Sequence, residues 1–421
     1  MNNHVPSGYK QTEVGVIPED WEVVTIGDLK PFVTSGSRGW AAFYSERGSL
    51  FVRITNLSRG TIYLDLTDSK YVNLPPEARE GVRTQLFEHD VLISITADIG
   101  IVGYVDDNVP TPAYINQHIA LARFDSTKVC GKFISYFLAS EKPQKLFRAS
   151  TDTGAKAGMS LGTVQKIKTA LPPLPEQRAI AKALSDVDGL LGGMDRLIAK
   201  KRDLKQAAMQ QLLTGKTRLP GFSGEWVVKR LGEVGRFSKG SGVTKDQTRS
   251  GTLACIRYGE IYTHHNDVIR GFHSWISPEV ASSAVRLKKG DILFAGSGET
   301  KEEIGKCAAF VSEVEAYAGG DIVILRPDDC NSLFLGYYLN TSSIVRQKAS
   351  RGQGDAVVHI SSSALSDVRC TLPSSSEQTA IAAILSDMDA ELATLEQRRE
   401  KTHALKQAMM QELLTGRTRL V

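Results

Sequence analysis

Two copies of one stretch organise this sequence. Residues 171–219 read LPPLPEQRAIAKALSDVDGLLGGMDRLIAKKRDLKQAAMQQLLTGKTRL, and residues 372–420 read LPSSSEQTAIAAILSDMDAELATLEQRREKTHALKQAMMQELLTGRTRL. The copies align without a gap, and about half of their positions are identical. Internal repetition can decide the architecture of a whole chain. Two copies this far apart predict two similar halves, each a globular segment followed by a long helix.

Both copies carry signals for the beginning and the end of a helix. Ser374 and Glu377 have the spacing of a capping box, and Gly215 and Gly416 are placed to close the two helices in the left-handed conformation. A helix over residues 176–214 would be roughly 58 Å long. We therefore expect the two helices to pack on each other, antiparallel. The alternative is that each helix lies on its neighbouring domain.

Apolar residues recur along both helices at alternating steps of four and three, which is the spacing of a coiled-coil seam. Polar residues such as Lys205 and Arg399 interrupt the seam, which we expect to resume at Leu204 and Leu405 on a shifted face. The residues predicted to form the partner-binding surface of the helices are Ile180, Leu184, Leu191, Leu212, Ile381, Leu385, Leu392 and Leu413.

The composition indicates a soluble cytoplasmic protein. Charged residues make up 23% and the hydrophobic class 41%, and no apolar run reaches membrane-spanning length. A net charge of +4 is compatible with a nucleic-acid partner without establishing one. The five cysteines form no CxxC pair, so we expect reduced thiols and no metal site.

The duplication extends into the globular segments. Trp21 matches Trp226, and Arg53 matches Arg257. Segments between the matched runs differ, which predicts one kind of task performed on two targets. The runs expected to be strands are 51–54 and 255–258, 90–93 and 291–294, and 119–123 and 322–326, with a short helix at 135–138 and 336–339. The predicted boundaries are a first domain at 1–170, its helix region at 171–219, a second domain at 220–371 and its helix region at 372–421.

One motif has the form of a cofactor loop. Residues 294–298, FAGSG, follow a strand as the S-adenosylmethionine loop of DNA methyltransferases does. However, the sequence lacks the Pro-Pro tetrapeptide that accompanies that loop, and the matching residues 90–100 contain no glycine loop. We interpret residues 297–301 as a recognition loop. Residues 264–266, HHN, lack a second histidine at nuclease spacing and are predicted to lie in a polar surface loop.

Polar, basic and glycine-rich loops recur at corresponding places in both halves. Arg, Lys, Asn and Gln side chains make phosphate and base-edge contacts, and glycine and serine amides can bind phosphate. These loops predict a DNA-binding surface. Its candidate residues are Ser35, Gly36, Ser37, Arg38, Arg53, Asn116, Gln117, Lys156, Lys239, Ser241, Lys245, Arg257, Ser297, Lys301, Arg351 and Gln353.

The sequence resembles the specificity subunits of type I restriction-modification systems. The resemblance rests on the openings around Trp21 and Trp226, the LPPLPEQ and LPSSSEQ helix starts and the two LKQAxMQxLLTGxTRL endings. It implies a non-catalytic subunit whose two target recognition domains each read half of a bipartite, asymmetric sequence in double-stranded DNA. It also implies two methylase subunits that bind S-adenosylmethionine, and restriction subunits that use ATP and Mg²⁺. No cofactor is expected on this chain.

The predicted fold class is α+β. We expect two mixed α/β target recognition domains separated by two long antiparallel, coiled-coil-like helices, related by a pseudo-twofold internal duplication. Half-sites about 34 Å apart, one turn of DNA, would suit such an arrangement. Two alternatives remain: a stand-alone adenine methyltransferase using residues 294–298, and a helical scaffold that does not bind DNA.

Overall fold

The computed structural model describes residues 5–75, 79–151, 158–354 and 357–420. The chain forms two compact units. The first unit contains Met1–Asp195 with Gln397–Val421, and the second contains Arg196–Glu396. Each long helix therefore contributes residues to both units.

The first unit is built around a four-stranded antiparallel sheet with the order Phe32–Ser35, Ile119–Arg123, Val91–Ser94, Val102–Tyr104. A second four-stranded sheet has the order Ala113–Ile115, Ser49–Val52, Lys70–Val72, Tyr44–Ser45. The other strands are Tyr9–Thr12, Gly15–Pro18, Glu22–Thr25 and Lys168–Leu171, and the shorter α-helices are Arg79–Thr84, Gly131–Ala139, Glu141–Thr151 and Leu161–Gln165.

The second unit repeats this plan with one more strand in its main sheet. That sheet has the order Gly235–Lys239, Ile322–Pro327, Ile292–Ala295, Cys307–Phe310, Val268–Ile269. A second sheet has the order Ser274–Ile276, Leu253–Ile256, Ala316–Ala318, Val285–Arg286. The other strands are Val227–Arg230, Ser297–Gly298, Val358–His359 and Arg369–Leu372, and the shorter α-helices are Tyr258–Thr263, Pro278–Ala281, Ser332–Tyr338, Ser342–Ala349 and Ser362–Ser366. The predicted runs at 90–93, 291–294, 119–123 and 322–326 are thus confirmed as strands, and those at 135–138 and 336–339 as short helices. The runs at 51–54 and 255–258 are strands only as far as Val52 and Ile256, because helices begin at Ile54 and Tyr258.

Burial on both faces explains why the central strands read as continuous apolar runs. In Val91–Ser94, Val91 and Ile93 join one hydrophobic cluster while Leu92 joins another. In Ile292–Ala295, Phe294 and Leu293 divide in the same way. Successive side chains of a strand point to opposite faces, so both faces of each main sheet are covered.

A buried ion pair recurs in both main sheets. Arg123 donates to Asp90 through Nε and Nη2, both at 2.7 Å, and Arg326 donates to Asp291 at 2.7 and 2.8 Å. Both aspartates are fully buried, so each requires a charged partner with good geometry. In each unit, the run that begins with Asp and the run that ends with Arg are therefore neighbouring strands joined by this ion pair.

The long helices are Leu174–Leu212 and Ser375–Leu413. Gly215 and Gly416 both have φ of +69°, as predicted for glycines that close a helix. The predicted capping box is only half present. Ser374 accepts a hydrogen bond from the Glu377 backbone N–H at 3.4 Å, but the Glu377 carboxylate accepts from Arg218. The glutamate is needed elsewhere, so it does not cap its own helix.

Within each unit, the helix segments run antiparallel. In the first unit, Asp188 pairs with Lys406 at 2.6 Å and Asp195 pairs with Arg399. In the second unit, Lys201 pairs with Glu391 at 2.7 Å and Lys205 with Asp389 at 2.6 Å. Residue numbers rise along one helix while they fall along the other, which defines the antiparallel direction. The helix starts also enter the domain cores, where Ile180 and Leu184 join the cluster around Trp21.

The predicted resumption of the seam at Leu204 and Leu405 is wrong. These side chains are 48% and 56% exposed, and the next residues, Lys205 and Lys406, point inwards instead. Each lysine completes a triad. Tyr136 donates to Asp188 and Tyr337 donates to Asp389, both at 2.6 Å. We call Tyr136, Asp188 and Lys406 the first triad, and Tyr337, Asp389 and Lys205 the second triad.

The helix ends are fixed by two clamps, which explain the repeated EQ and TRL sequences. In the first clamp, Arg419 donates to Glu176 at 2.7 and 2.8 Å, and the Trp21 indole donates to the same carboxylate at 3.1 Å. In the second clamp, which contains Trp226, Arg218 donates to Glu377 at 2.6 Å through two nitrogens. Each clamp thus joins the start of one long helix to the end of the other within one unit.

Candidate nucleic-acid interface

The predicted loops of each unit meet at the start of a central strand. In the first unit, a Cβ on Gly36 would lie 2.2 Å from the carbonyl carbon of Asn116. In the second unit, a Cβ on Gly240 would lie 2.1 Å from the carbonyl oxygen of Gly319. Neither distance is possible for a real side chain, so glycine lets the two loops touch. The duplication therefore places a glycine loop against the same turn in both units.

The turn itself is equivalent in the two units. Asn116 N–H donates to the Val52 carbonyl at 3.1 Å, and Gly319 N–H donates to the Ile256 carbonyl at 2.9 Å. Residues 116–118, Asn-Gln-His, thus occupy the place of residues 319–321, Gly-Gly-Asp. The two turns begin with the same backbone hydrogen bond, but Asp321 has a φ of +59° that His118 does not share, and the side chains differ at all three positions.

We call residues 35–39, 83, 96 and 116–118 the first loop cluster. Arg83 donates to the Ser35 carbonyl and to the Ser37 hydroxyl, both at 2.8 Å, and these two hydrogen bonds fix the glycine loop. This role was not predictable from the sequence, because Arg83 lies in a segment that has no match in the other half. Arg38 is exposed beside these serines.

The turn of the first loop cluster contains a network of polar side chains, in which Asn116 is buried at 8% exposure while Gln117 and His118 are partly exposed. The Asn116 side-chain carbonyl accepts from the His118 N–H at 3.1 Å, and Gln117 Nε2 lies 3.0 Å from His118 Nε2. His118 Nδ1 bonds the Thr96 hydroxyl. Both predicted residues of this turn, Asn116 and Gln117, therefore lie in one network with His118.

We call residues 239–245, 257 and 319–321 the second loop cluster. Ser241 donates to the Ser283 carbonyl at 2.8 Å, which fixes the glycine loop. Lys239 and Lys245 are exposed, and Lys239 lies 3.7 Å from Asp321. The second loop cluster therefore has two exposed lysines in its glycine loop, where the first loop cluster has Ser35, Ser37 and the exposed Arg38.

The recognition loop predicted at residues 297–301 begins two residues later than expected. Ser297 and Gly298 form a buried strand that pairs with Val358–His359, and the Ser297 hydroxyl lies 2.9 Å from His359 Nδ1. Gln353 pairs with His359 through two backbone hydrogen bonds, so Ser297 and Gln353 share a neighbour. Exposed side chains begin at Glu299 and include Lys301.

A buried lysine supports the loop that contains Lys301. Lys348 is 1% exposed and donates to the Gly305 carbonyl at 2.5 Å. Burial lowers the pKa of its ammonium group. In the first unit, Gln144 donates to the Gly100 carbonyl at 2.7 Å in the corresponding place. The two domains therefore hold their loops with different chemistry.

The remaining candidates have separate placements. Arg351 donates to the carbonyls of Gln347 and Asp367 at 2.8 and 3.3 Å, within its own unit. Lys156 lies outside the described residues. The paired histidines are divided rather than both lying in a surface loop, since His265 is 2% exposed. Burial, followed by the nearby His273 and His264, lowers the pKa of His265 to about 4.

The predicted partner-binding residues of the helices require a correction. Within this chain all eight are at most 9% exposed, because they fill the helix and domain cores. They cannot also form a surface. The apolar side chains that the two helices do expose are Leu190, Leu197, Leu204, Ile384 and Leu405.

Among the helices in the described part of the chain, none combines the length and the hydropathy that a membrane span requires. The described residues also bring no three His, Cys, Asp or Glu side chains together as ligands for a metal ion.

Comparison with known proteins agrees with the duplication. The family model described as "Type I restriction modification DNA specificity domain" matches residues 18–198 and 223–403. The MjaX specificity subunit of a type I restriction enzyme from Methanocaldococcus jannaschii is 25% identical over 98% of this chain and 97% of its own length. The MjaVIII specificity subunit from the same organism is 27% identical over 51% of this chain and 50% of its own length.

Solved structures show the same fold. The S subunit of a type I restriction-modification system from M. genitalium has a TM-score of 0.61 at 15% identity, covering 93% of this chain and 96% of its own. A chain from a study of complex assembly in the type I system has a TM-score of 0.55 at 19% identity, covering 96% and 99%. The chain therefore belongs to the type I restriction-modification specificity subunit family and carries two copies of its DNA specificity domain.

Proposed function

We propose that this chain is the sequence-reading subunit of a type I restriction-modification complex. Each specificity domain would contact one half of a bipartite, asymmetric target in double-stranded DNA. The observation that carries the proposal is the pair of loop clusters, in which the turn at 116–118 or 319–321 begins with the same backbone hydrogen bond and differs in every side chain. Side chains that read base edges must differ where the bases differ.

The long helices support a second part of the proposal, the spacing of the half-sites. Each helix of 39 residues contributes to both units, and its ends are fixed by clamps and triads. We infer that this pair acts as an antiparallel spacer with pseudo-twofold symmetry. The exposed residues Leu190, Leu197 and Leu204 follow one another at seven-residue steps, which suits a helix of a partner subunit.

The chemistry would lie on the partners. We expect two methylase subunits that hold S-adenosylmethionine, and restriction subunits that use ATP and Mg²⁺, all assembled with this non-catalytic chain in the cytoplasm. The net charge of +4 is small, so tight DNA binding would need the partners as well as the loop clusters.

The methyltransferase alternative has less support. Phe294 is fully buried, and the glycines of residues 294–298 are used in packing. A Cβ on Gly296 would lie 2.9 Å from the Asp321 carbonyl oxygen, and one on Gly298 would lie 2.7 Å from the Tyr262 hydroxyl. Close packing of the protein on itself accounts for both glycines without a cofactor.

The test is selection of bound duplexes from a random DNA library, with and without the methylase subunits, together with a methyl-transfer assay. We expect enrichment of a split sequence and no methyl transfer by the isolated chain. Transfer by the isolated chain would instead establish the methyltransferase alternative. The absence of any sequence preference, with every combination of partners, would establish the scaffold alternative.

A further inference from the structure

The two units carry one arginine at the same structural position. Arg53 follows the strand Ser49–Val52 and Arg257 follows Leu253–Ile256. Both have extended backbones, with φ and ψ of −114° and 166° for Arg53 and −110° and 155° for Arg257. The carbonyl just before each arginine accepts the N–H of the turn, at Asn116 or at Gly319. The two side chains therefore start from equivalent points.

Their guanidinium groups differ in what they bind. Arg53 Nη2 donates to both the carbonyl and the carboxylate of Asp68, each at 2.9 Å, and its side chain is only 20% exposed. The side chain of Arg257 has no hydrogen-bond or ion-pair partner within the described part of the chain. The nearby Glu260 is already occupied, since it accepts from the Arg257 backbone N–H and from the Ser274 hydroxyl.

The Arg257 side chain lies beside glycines and exposed lysines of the second loop cluster. A Cβ on Gly319 would lie 3.5 Å from Arg257 Cγ and 3.4 Å from Val243 Cβ, so the arginine stem and the glycine loop both lie next to Gly319. Neither Gly319 nor Gly320 has a side chain there. The exposed Lys239 and Lys245 belong to the same loop cluster. A half-buried cation without an acceptor favours a ligand that supplies one.

We propose that Arg257 is a base-reading residue of the second domain and binds a guanine of its half-site. The proposal rests on the DNA-reading function proposed above. A guanidinium matches the O6 and N7 acceptors of guanine with two parallel hydrogen bonds in the major groove. Arg53 is instead bound by Asp68, and in the first domain residues 116–118 carry the side chains that Gly319 and Gly320 lack.

The experiment varies the selected target one base pair at a time and measures competition for the full chain with its methylase subunits. In Arg257→Ala, we expect preference for guanine to fall about 5- to 150-fold at one position of one half-site, with the other half unchanged. Arg257→Lys keeps the charge but replaces the planar fork by a single flexible ammonium group, so the preference at the same position should fall less than in Arg257→Ala. Arg230→Ala removes another surface arginine of this unit and should leave the target unchanged.

Three results separate the possibilities. A uniform loss of affinity at every sequence, with a weaker salt dependence, would overturn the proposal in favour of a phosphate contact. An unchanged target in folded Arg257→Ala would also overturn it. If the unaltered chain with its partners shows no sequence preference, the proposed function itself fails, which is a different outcome.

Discussion

Both units contain a clamp and a triad, but the carboxylate with an additional partner lies in the clamp of the first unit and in the triad of the second. In the first clamp, Glu176 accepts hydrogen bonds from Arg419 and also from the Trp21 indole. In the second clamp, the Trp226 indole N–H has no hydrogen-bond partner among the described residues. The triads show the reverse. Asp389 pairs with Lys205 and also with Arg270 at 2.9 Å, whereas Lys406 is the cation that pairs with Asp188 in the described residues.

This contrast shows that duplicated sequence does not imply duplicated energetics. In the first unit the clamp has a second donor while the triad depends on one cation, and in the second unit the triad has a second cation while the clamp depends on one. Burial acts to raise the pKa of Asp389, but its bonds to Lys205, Tyr337 and Arg270 together hold that pKa below its ordinary value. Residues outside the repeat, such as Arg270, therefore decide how much each repeated residue contributes.

The largest effect is expected from the first triad. Lys406→Ala leaves the buried Asp188 carboxylate without a cation and should lower the free energy of unfolding by about 3–5 kcal/mol. Lys205→Ala should cost clearly less, because Arg270 still faces Asp389. Urea unfolding of the full chain measures both. Lys182→Ala breaks an exposed pair with Asp186 and should change stability by no more than about 0.5 kcal/mol. Equal losses in the two triads would refute the role of Arg270.

The clamps should respond in the opposite order. Arg218→Ala leaves the buried Glu377 carboxylate without its donor, whereas after Arg419→Ala the Trp21 indole still donates to Glu176. We expect the lower unfolding midpoint in Arg218→Ala, by a smaller margin than in the triads. The double variant Trp21→Phe with Arg419→Ala removes the reinforcement. If it is no less stable than Arg419→Ala alone, the indole bond contributes nothing.

A smaller effect, confined to one half of the target, is expected at Arg83. Arg83→Ala releases the loop at residues 35–39, and ordering that loop on DNA would then weaken binding by about tenfold. Only base preferences in one half-site should broaden. Competition with single base-pair variants measures this. A loss spread over both half-sites would show that Arg83 does not act through the first loop cluster alone.

The sequence predicted those parts of the fold that depend on regular patterns. Continuous apolar strands and helices with closing glycines leave local signatures, and the matched Asp and Arg runs marked the main sheets. The seam failed at Leu204 and Leu405 because a buried Lys–Asp–Tyr triad overrides apolar periodicity there. Glu377 failed as a capping residue because Arg218, distant in sequence, binds it.

The candidate interface was predictable in place but not in detail. Glycine loops in matching positions indicated Gly36 and the loop at residues 239–245. Which arginine is free depends on Asp68, which lies in an unmatched loop, and nothing local to Arg53 or Arg257 reveals it. The partner-binding residues were wrongly chosen, since a heptad seam cannot distinguish packing within a chain from packing on a partner.

The central claim is that each domain reads its own half of a split target. The most direct measurement is a map of methylated adenines in host DNA, made with the natural chain and with a chain whose residues 239–245 are replaced by the shorter loop at 35–39. We predict that one half of the methylated sequence changes while the other half and the gap stay the same. If both halves change together, or neither changes, the two domains do not each read their own half of the target.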